Sequence, residues 1–295
     1  MTVELVGGLG NQLFCLSAGF YVARLHSADL KMKYESKLNS TTRNSAFSNG
    51  FAMSGGDGVE LVSVVNRKNN SFVNSLVTKV VGLLKVVNPW QESMYKSKVV
   101  GFDPKLDSVM PPVYLKGYFQ SWKYALNSKS FIRRALFSQA NLSDYATSLI
   151  QELNAEKTLV VHIRLGDYLL GENSYFGVLD AEYYKNALLN HDLFKYQVFV
   201  FSDDINHAES NYSHVFPENT IWVDPMRKLN DLESLIVMLH GKSYVIANST
   251  FSWWAAFLSD SKTKVVAPAK WFRFREDPDC LFPLEWERES SIWTN

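Results

Sequence analysis

Four clusters of polar residues in this sequence carry groups that could bind a phosphate-bearing ligand. They are Gly7-Gly8-Leu9-Gly10-Asn11-Gln12, His162-Ile163-Arg164-Leu165-Gly166-Asp167, Ser202-Asp203-Asp204 and Asn248-Ser249-Thr250-Phe251-Ser252. Each cluster directly follows a short apolar run, and such runs are typical of strands buried in a parallel sheet. Ligands of doubly wound sheets bind beyond the carboxyl ends of the strands, so the coincidence of the four clusters predicts one binding site.

The second cluster contains the side chain best suited to a phosphate. His162 and Arg164 lie two residues apart in a predicted strand, so their side chains are expected to point the same way. The planar guanidinium of Arg164 can bind a phosphate through two hydrogen bonds, and His162 can donate to a phosphate or a base edge. Asp167 could hold either side chain or accept a proton. The alternative is a structural ion pair between Arg164 and Asp167.

The first and fourth clusters could bind an anion at the start of a helix. Glycines such as Gly8 and Gly10 let a ligand approach backbone amides, although a structural tight turn is the alternative. A nicotinamide-dinucleotide loop is disfavoured, because the G-x-G-x-x-G spacing fails after Gly10. In the fourth cluster, the hydroxyls and amides of residues 248–252 could cradle phosphates.

Two further interpretations concern hydroxyl groups and aromatic rings. Ser202 and Asp203 could hydrogen-bond a ribose or sugar hydroxyl, with a helix cap in the Ser202-Asp203-Asp204 triplet as the alternative. Trp253 and Trp254 are expected to pack a helix against the sheet, and stacking on a base or sugar is the alternative role.

The composition describes a globular protein and argues against several classes. The 295 residues, 46% of them apolar, fit two domains or one large domain. Lys and Arg balance Asp and Glu at 30 each, so no nucleic acid is expected as a partner. Cys15 and Cys280 belong to no metal-binding motif, and Asp277-Pro278-Asp279 is the only D-x-D triplet. We therefore expect no metal site.

The expected location follows from hydropathy and charge. No apolar run reaches the ~18 residues of a membrane span, and the N-terminus lacks signal-peptide features, so we expect a cytoplasmic protein. Residues 1–100 carry 11 Lys and Arg against 6 Asp and Glu. This basic excess leaves open a peripheral contact at the inner face of the membrane, with a solvated surface as the alternative. The predicted helix at residues 76–87 could lie on a membrane, although core packing is the commoner role of its pattern.

Alternating strands and helices must position the four clusters. Strands are predicted at residues 3–6, 158–164, 197–201, 243–247 and 264–267, with helical patterns between them. This alternation indicates an α/β fold. Asp180 and Asn230 are predicted to cap helices, and residues 35–75 are predicted as loops. Because a new strand–helix series begins at Thr158, we place a domain boundary near residues 142–158.

Together the clusters resemble the motifs of α-1,2-fucosyltransferases. His162–Tyr168 is similar to the H-x-R-R-G-D signature of that family, and Gly7–Phe14 is similar to its N-terminal glycine motif. Later motifs are resembled, in the family's order, by Phe201–Asp204, Ile246–Leu258 and Pro268–Phe272. Two positions depart from the pattern. Leu165 replaces the usual second Arg, and strand alternation predicts that it faces away from Arg164; Cys15-Leu16-Ser17 stands where Gln-Tyr-Ala is common.

The resemblance implies a GT-B-like α/β fold in which two Rossmann-like domains face a cleft. Residues 1–150 would form the acceptor-side domain, and residues 151–295 would bind GDP-β-L-fucose. The implied reaction is an inverting, metal-independent transfer of fucose to the 2-hydroxyl of a galactoside, either an oligosaccharide or a lipid-linked glycan of surface polysaccharide synthesis. The residues expected to bind the nucleotide sugar are Gly8, Gly10, Asn11, Gln12, His162, Arg164, Ser202, Asp203, Asn248, Ser249, Thr250 and Ser252.

The predicted catalytic residues are Arg164, Asp167 and His162: the resemblance implies Arg164 at the pyrophosphate and His162 near the nucleotide, and Asp167 is a candidate by its position. Arg164 would stabilise the charge of the departing diphosphate. The general base stays open among Asp167, Glu172 and Asp203. Two other functions also stay open: a GT-B transferase that uses another nucleotide sugar, and a non-catalytic carbohydrate-binding protein that uses the Trp-rich surface.

Overall fold

The computed structural model describes residues 1–34, 92–155, 157–170, 175–189, 191, 195–223 and 229–294, which form two parallel β-sheets with associated helices. The strands are β1 (Thr2–Leu5), β2 (Lys31–Tyr34), β3 (Ser93–Lys96), β4 (Val113–Lys116), β5 (Thr158–Ile163), β6 (Gln197–Ser202), β7 (Ile221–Val223), β8 (Ser243–Val245), β9 (Lys264–Pro268) and β10 (Glu287–Glu289). The α-helices are α1 (Leu9–Leu25), α2 (Trp122–Gln139), α3 (Asp144–Leu153), α4 (Ala181–Leu189), α5 (Ile205–Tyr212), α6 (Asp231–Met238) and α7 (Thr250–Leu258).

The first sheet has the strand order β2-β1-β4-β3, and all of its pairings are parallel. Helix α1 follows β1 after a turn in which Gly7 adopts φ +72°, a conformation that favours glycine. Buried residues occur on every side of α1 because it packs against β1, α2 and α7. Helix α1 is therefore a central element of the fold.

The second sheet has the order β10-β9-β8-β5-β6-β7 and is also parallel. Every residue of the central strand β5 is buried, as expected for an apolar run covered on both faces. Side chains on one face pack into a core that continues into the first sheet, and side chains on the other face form a second core.

The two sheets are joined where α1 meets α7. A Cβ atom on Gly10 would lie 2.5–2.7 Å from backbone atoms of Thr250 and Phe251, so only glycine permits this close approach. The indole Nε1 of Trp254 donates to the carbonyl oxygen of Gly10 at 2.9 Å. Residues that follow strand ends of both sheets meet at one cavity. The chain thus has the GT-B-like architecture, with two Rossmann-like sheets facing a cleft.

The structure confirms the predicted elements that lie in its described part. The five predicted strands correspond to β1, β5, β6, β8 and β9. Asp180 accepts from the backbone amide of Glu182 at 3.0 Å, and Asn230 accepts from that of Glu233 at 2.9 Å, so both predicted caps are present. The predicted loops at residues 35–75 and the predicted helix at residues 76–87 lie outside the described residues.

The region of the predicted domain boundary is occupied by helix α3, which packs against α6. The division into residues 1–150 and 151–295 therefore stays a prediction. Within the described part of the chain, no helix is both long and apolar enough to cross a membrane.

Candidate active site

A cavity of about 360 Å³ lies between the two sheets, and its size is typical of small-molecule sites. Its lining divides into two parts that differ in chain position and chemistry. We call the first the neutral wall: Gly7, Gly8, Leu9, Gly10, Asn11, Val100, Tyr118 and Gln120. We call the second, formed by lining residues between positions 162 and 275, the charged wall; its charged side chains are Arg164, Asp167, Asp203, Asp231 and Arg275.

The end of β5 places two of the predicted catalytic residues in the charged wall. His162 and Arg164 both line the cavity, as predicted from their spacing. Ile163 and Leu165 are fully buried in the separate core on the opposite face of the sheet. The prediction that Leu165 faces away from Arg164 is therefore confirmed, and the missing second Arg leaves the Arg164 side of the cavity intact.

Two carboxylates hold the guanidinium of Arg164. Its Nη1 atom lies 3.0 Å from Oδ2 of Asp203, and its Nη2 atom donates to Oδ1 of Asp167. Its guanidinium carbon lies 5.1 Å from the centre of the Tyr168 ring, at cation–π distance. The Arg164 side chain is 13% exposed, whereas Asp167 is 48% exposed. The guanidinium is thus held on its buried side by Asp203 and on its solvent side by Asp167.

Asp203 also fixes the turn that follows β5. Its Oδ1 atom accepts from the backbone amide of Leu165 at 2.9 Å. Gly166 adopts φ +26°, and a Cβ there would lie 2.1 Å from Oδ2 of Asp203. The glycine of the cluster is therefore required for the acid to reach Arg164.

The guanidinium of Arg164 stays protonated despite its burial. Burial by itself lowers the pKa of a guanidinium, but the negative charges of Asp203 and Asp167, together with the hydrogen bond to Asp167, outweigh this effect and raise the pKa of Arg164. A permanently charged, oriented guanidinium at a cavity is suited to binding a phosphate or diphosphate.

Two helix N-termini also meet the cavity. Gly8, Gly10 and Asn11 line it at the start of α1, and Ser249 and Thr250 line it at the start of α7. Neither helix has a side-chain hydrogen bond from its N-cap residue, Gly8 or Ser249. Helix N-termini carry partial positive charge and backbone N–H donors, so both ends favour an anion in the cavity.

Three predicted ligand-binding residues have side chains that are absent from the cavity lining. The Gln12 side chain donates to the carbonyl oxygen of Gly7 at 2.8 Å, and the Ser252 hydroxyl donates to that of Ser249 at 3.1 Å. The Asn248 amide donates to the carbonyl oxygens of Phe176, Gly177 and Trp271 at 3.0–3.2 Å. These side chains shape the loops around the cavity, and motif membership alone did not show this orientation.

The three residues of the Ser202-Asp203-Asp204 cluster have different roles. Ser202 and Asp203 line the cavity, whereas Asp204 caps α5 by accepting from the backbone amide of His207 at 3.1 Å. The Ser202 hydroxyl accepts from the amide of Asp204 at 3.1 Å. The alternative prediction of a helix cap is therefore correct for Asp204.

Of the three candidate general bases, Asp167 and Asp203 both contact Arg164, and Glu172 lies outside the described residues.

The tryptophans of α7 are structural. Trp253 and Trp254 are fully buried and pack on Phe14 of α1, with ring centres 4.6 and 5.0 Å apart. This confirms that they pack the helix into the core. The aromatic residues that do line the cavity include Tyr168, Tyr175, Phe176 and Phe272. The rings of Tyr168 and Phe176 stack with centres 4.5 Å apart. Tyr168 and Phe272 belong to motifs noted in the sequence, but sequence reasoning assigned no cavity role to any of the four rings, and Tyr175 and Phe176 belong to no motif.

Sequence reasoning also missed the polar part of the neutral wall. Gln120 is buried, and its Nε2 atom donates to Oδ1 of Asn11 at 2.8 Å. Gln120 directly precedes Ser121, the N-cap of α2, so the only available signal was its place between a strand and a helix.

Asp277 of the D-x-D triplet stabilises a neighbouring backbone segment. Oδ1 of Asp277 accepts from the backbone amides of Trp271 and Phe272 at 2.7 and 3.2 Å. Among the described residues, no group of three or more His, Cys, Asp or Glu side chains is arranged to hold a metal ion.

Comparison with known proteins decides the family. The model of glycosyl transferase family 11 matches residues 84–289, well over half of the chain. The protein belongs to glycosyl transferase family 11. It is therefore a glycosyltransferase, and the resemblance to bacterial α-1,2-fucosyltransferase-like enzymes is confirmed at the level of the family.

Two curated relatives of this family 11 glycosyltransferase come from Escherichia coli. The α-1,2-colitosyltransferase is 27% identical over 98% of this chain and 98% of its own length. The O-antigen biosynthesis glycosyltransferase WbnK is 37% identical over 39% of each chain. Among solved structures, NodZ α-1,6-fucosyltransferase from Bradyrhizobium, soaked with GDP-fucose, matches with a TM-score of 0.49 and 13% identity over 90% of this chain and 94% of that one.

Proposed function

We propose that this family 11 glycosyltransferase transfers L-fucose from GDP-β-L-fucose to the 2-hydroxyl of a galactoside, with inversion at the anomeric carbon. The observation that carries the proposal is the clamped Arg164 at a cavity that also receives the N-termini of α1 and α7. This arrangement supports a diphosphate leaving group, because fixed positive charge and N–H donors already surround the place where negative charge would develop.

The proposed reaction is a single displacement. The acceptor O2 atom forms a bond to the anomeric carbon of fucose while the bond from that carbon to the β-phosphate oxygen breaks. GDP leaves with the bonding electrons, and the proton of the acceptor hydroxyl passes to a base. An attack from the face opposite the leaving group converts the β-linked donor into an α-linked product. Removing the contact between Arg164 and the diphosphate should cost about 3 kcal/mol, or roughly 10²-fold in rate.

The remaining roles follow from the contacts in the charged wall. Asp203 and Asp167 orient Arg164, and His162, which is buried and lines the cavity, contacts the nucleotide. Ser202, Ser249 and Thr250 offer hydroxyls and amides to the donor, while Asn248, Gln12 and Ser252 support the loops that carry them. In this proposal residues 151–295 bind most of the donor. Residues 1–150 face the acceptor and also bring the N-terminus of α1, with Gly8, Gly10 and Asn11, to the donor.

The positive charges of this site are supplied by the protein, so we propose that transfer needs no metal cofactor. Activity in the presence of EDTA should equal activity with added Mg²⁺. An activity that EDTA abolishes and Mg²⁺ restores would contradict this part of the proposal.

The acceptor is proposed to be a galactose-containing oligosaccharide or a lipid-linked glycan of O-antigen synthesis, handled in the cytoplasm at the inner face of the membrane. A relative named for O-antigen biosynthesis supports this context. Co-sedimentation with anionic vesicles at low salt tests the membrane contact, and equal recovery with neutral and anionic vesicles would argue against it.

A second candidate donor is the GDP-linked form of colitose, which lacks the 3-hydroxyl of fucose. The observation that favours it is the α-1,2-colitosyltransferase that matches this chain over nearly its whole length. Both donors present the same diphosphate to Arg164, so the choice depends on contacts with the sugar alone.

Donor titration tests the proposal. Transfer rates are compared for GDP-fucose, GDP-colitose, GDP-mannose and a UDP-sugar, with a galactoside as acceptor. The proposal predicts the highest kcat/KM with GDP-fucose, and a clear preference for GDP-colitose would favour the second candidate. Calorimetry with GDP separates both from a non-catalytic carbohydrate-binding protein, which would not bind the nucleotide.

A further inference from the structure

The turn between β4 and α2 presents two side chains of the neutral wall on a strained backbone. Phe119 has a φ of +52°, which is costly for an aromatic residue, and its ring is fully buried. Its neighbours Tyr118 and Gln120 both line the cavity. The turn is held on both sides, because the Gln120 amide donates to the carbonyl oxygen of Val100 at 2.7 Å and Ser121 caps α2. Core packing thus maintains a backbone conformation in which Tyr118 and Gln120 line the cavity.

In the part of the chain that the structure describes, only one end of the Gln120 carboxamide has a hydrogen-bond partner. Its Nε2 atom donates to Oδ1 of Asn11 at 2.8 Å. Its Oε1 atom is buried and has no hydrogen-bond partner among the described residues. The residue as a whole is 6% exposed. A buried acceptor without a partner is costly, so its presence at a cavity points to a ligand that supplies a donor.

The chemistry of this turn fits a neutral sugar. An ionised phosphate has hydrogen-bond acceptors but no donor, so it cannot donate to Oε1 of Gln120. A sugar hydroxyl can donate to this atom. No residue of the neutral wall carries a charge. Tyr118 is 45% exposed and offers an aromatic ring on which the apolar face of a pyranose can lie.

We infer that Tyr118 and Gln120 form the acceptor subsite of the cavity. One hydroxyl of the acceptor sugar donates to Oε1 of Gln120, and the sugar ring packs on Tyr118. This inference rests on the proposed glycosyl transfer and makes Gln120 a specificity residue for the acceptor.

The experiment compares acceptors that lack one hydroxyl each. Initial rates are measured with a methyl galactoside and its 3-, 4- and 6-deoxy forms, for the natural protein and for Gln120→Met, which keeps the side-chain length. The natural protein should lose roughly tenfold or more in kcat/KM with one deoxy acceptor. Gln120→Met should show that same loss with the full acceptor and should no longer distinguish the two. Its affinity for GDP should stay within about twofold, since Gln120 does not contact the donor.

Matched variants control for general damage to the fold. Gln197→Met removes a glutamine whose side chain donates to the carbonyl oxygen of Asn219, outside the cavity lining, and should leave acceptor selectivity unchanged. Tyr118→Leu should raise the acceptor KM, and Tyr118→Phe should restore it because the ring is retained.

Three outcomes have different meanings. Unchanged discrimination in Gln120→Met would overturn the inference. An equal fall in kcat with every acceptor, and in donor hydrolysis by water, would also overturn it, because that pattern means that Gln120 contacts the donor sugar or only positions Asn11. If the natural protein neither binds GDP nor transfers a sugar, the proposed function fails first, and this result is visible before any variant is made.

Discussion

The neutral wall and the charged wall enclose one cavity, but they are built in opposite ways. The charged wall gathers Arg164, Asp167 and Asp203 at the ends of β5 and β6. The neutral wall offers glycine backbone, carboxamides and the Tyr118 ring, held by a strained turn. The charged wall is stabilised by ion pairs, whereas the neutral wall is stabilised by packing and neutral hydrogen bonds.

This difference indicates how one cavity can hold two unlike substrates. A diphosphate binds where fixed charge offsets its own, and a polyol binds where hydrogen-bonding groups are present without charge. Because the ion pairs lie in one wall and the uncharged groups in the other, a substitution in one wall alters different contacts from a substitution in the other. The expected effects of substitutions therefore depend on which wall they reach.

The largest effect should come from the glycine that joins the walls. Gly10→Ala would place a methyl group 2.5–2.7 Å from the backbone of α7, so α1 and α7 must separate. We expect a loss of about 3 kcal/mol in the free energy of unfolding and the loss of most activity. Denaturant unfolding and initial rates measure both. Gly8→Ala is the control for the stability measurement, since a Cβ there meets no atom within 4 Å. Equal stability of the two variants would contradict this account of the joint.

A smaller effect should distinguish the two acids of the charged wall. Asp203→Asn weakens a buried contact with Arg164, so we expect about 2 kcal/mol less stability and roughly a hundredfold lower kcat/KM. Asp167→Asn weakens a half-exposed contact, and about tenfold lower activity with almost unchanged stability is expected. Thermal unfolding and steady-state rates give the comparison. If Asp167→Asn proved the more harmful of the two, Asp167 would have a chemical role beyond orienting Arg164.

The smallest effect should come from His191, a residue of neither wall, and should be a loss of stability at acidic pH. Burial lowers the pKa of His191 to about 4, with a further contribution from the charge of Lys264. The unfolded chain takes up this proton near pH 6.5 and the folded chain does not, so the stabilising difference is complete above that pH and declines below it. We expect about 1 kcal/mol less stability at pH 5.5 than at pH 7.5 from this residue.

Denaturant unfolding at the two pH values, with His191→Gln and the exposed His214→Gln as a matched pair, isolates that contribution. The His191 variant should show a weaker pH dependence than the His214 variant. The same pH dependence in both would place the acid-sensitive group elsewhere in the chain.

The sequence predicted the charged wall better than the neutral wall for a physical reason. Buried parallel strands require continuous apolar runs, and side-chain alternation within such a run then places His162 and Arg164 together. The direction of the Gln12 and Asn248 side chains could not be predicted, because each is decided by carbonyl groups of distant segments. The role of Gln120 depends on the positive φ of Phe119, which tertiary packing imposes against local preference.

The central claim is that the guanidinium of Arg164 offsets the charge of a departing diphosphate. Its most direct test is kcat for sugar transfer by Arg164→Lys and Arg164→Ala at saturating donor and acceptor. The account predicts a fall of roughly 10²-fold or more for Ala and a substantial fall for Lys, because a point charge cannot reproduce the planar fork held by Asp167 and Asp203. Rates near that of the natural protein in both variants would contradict it.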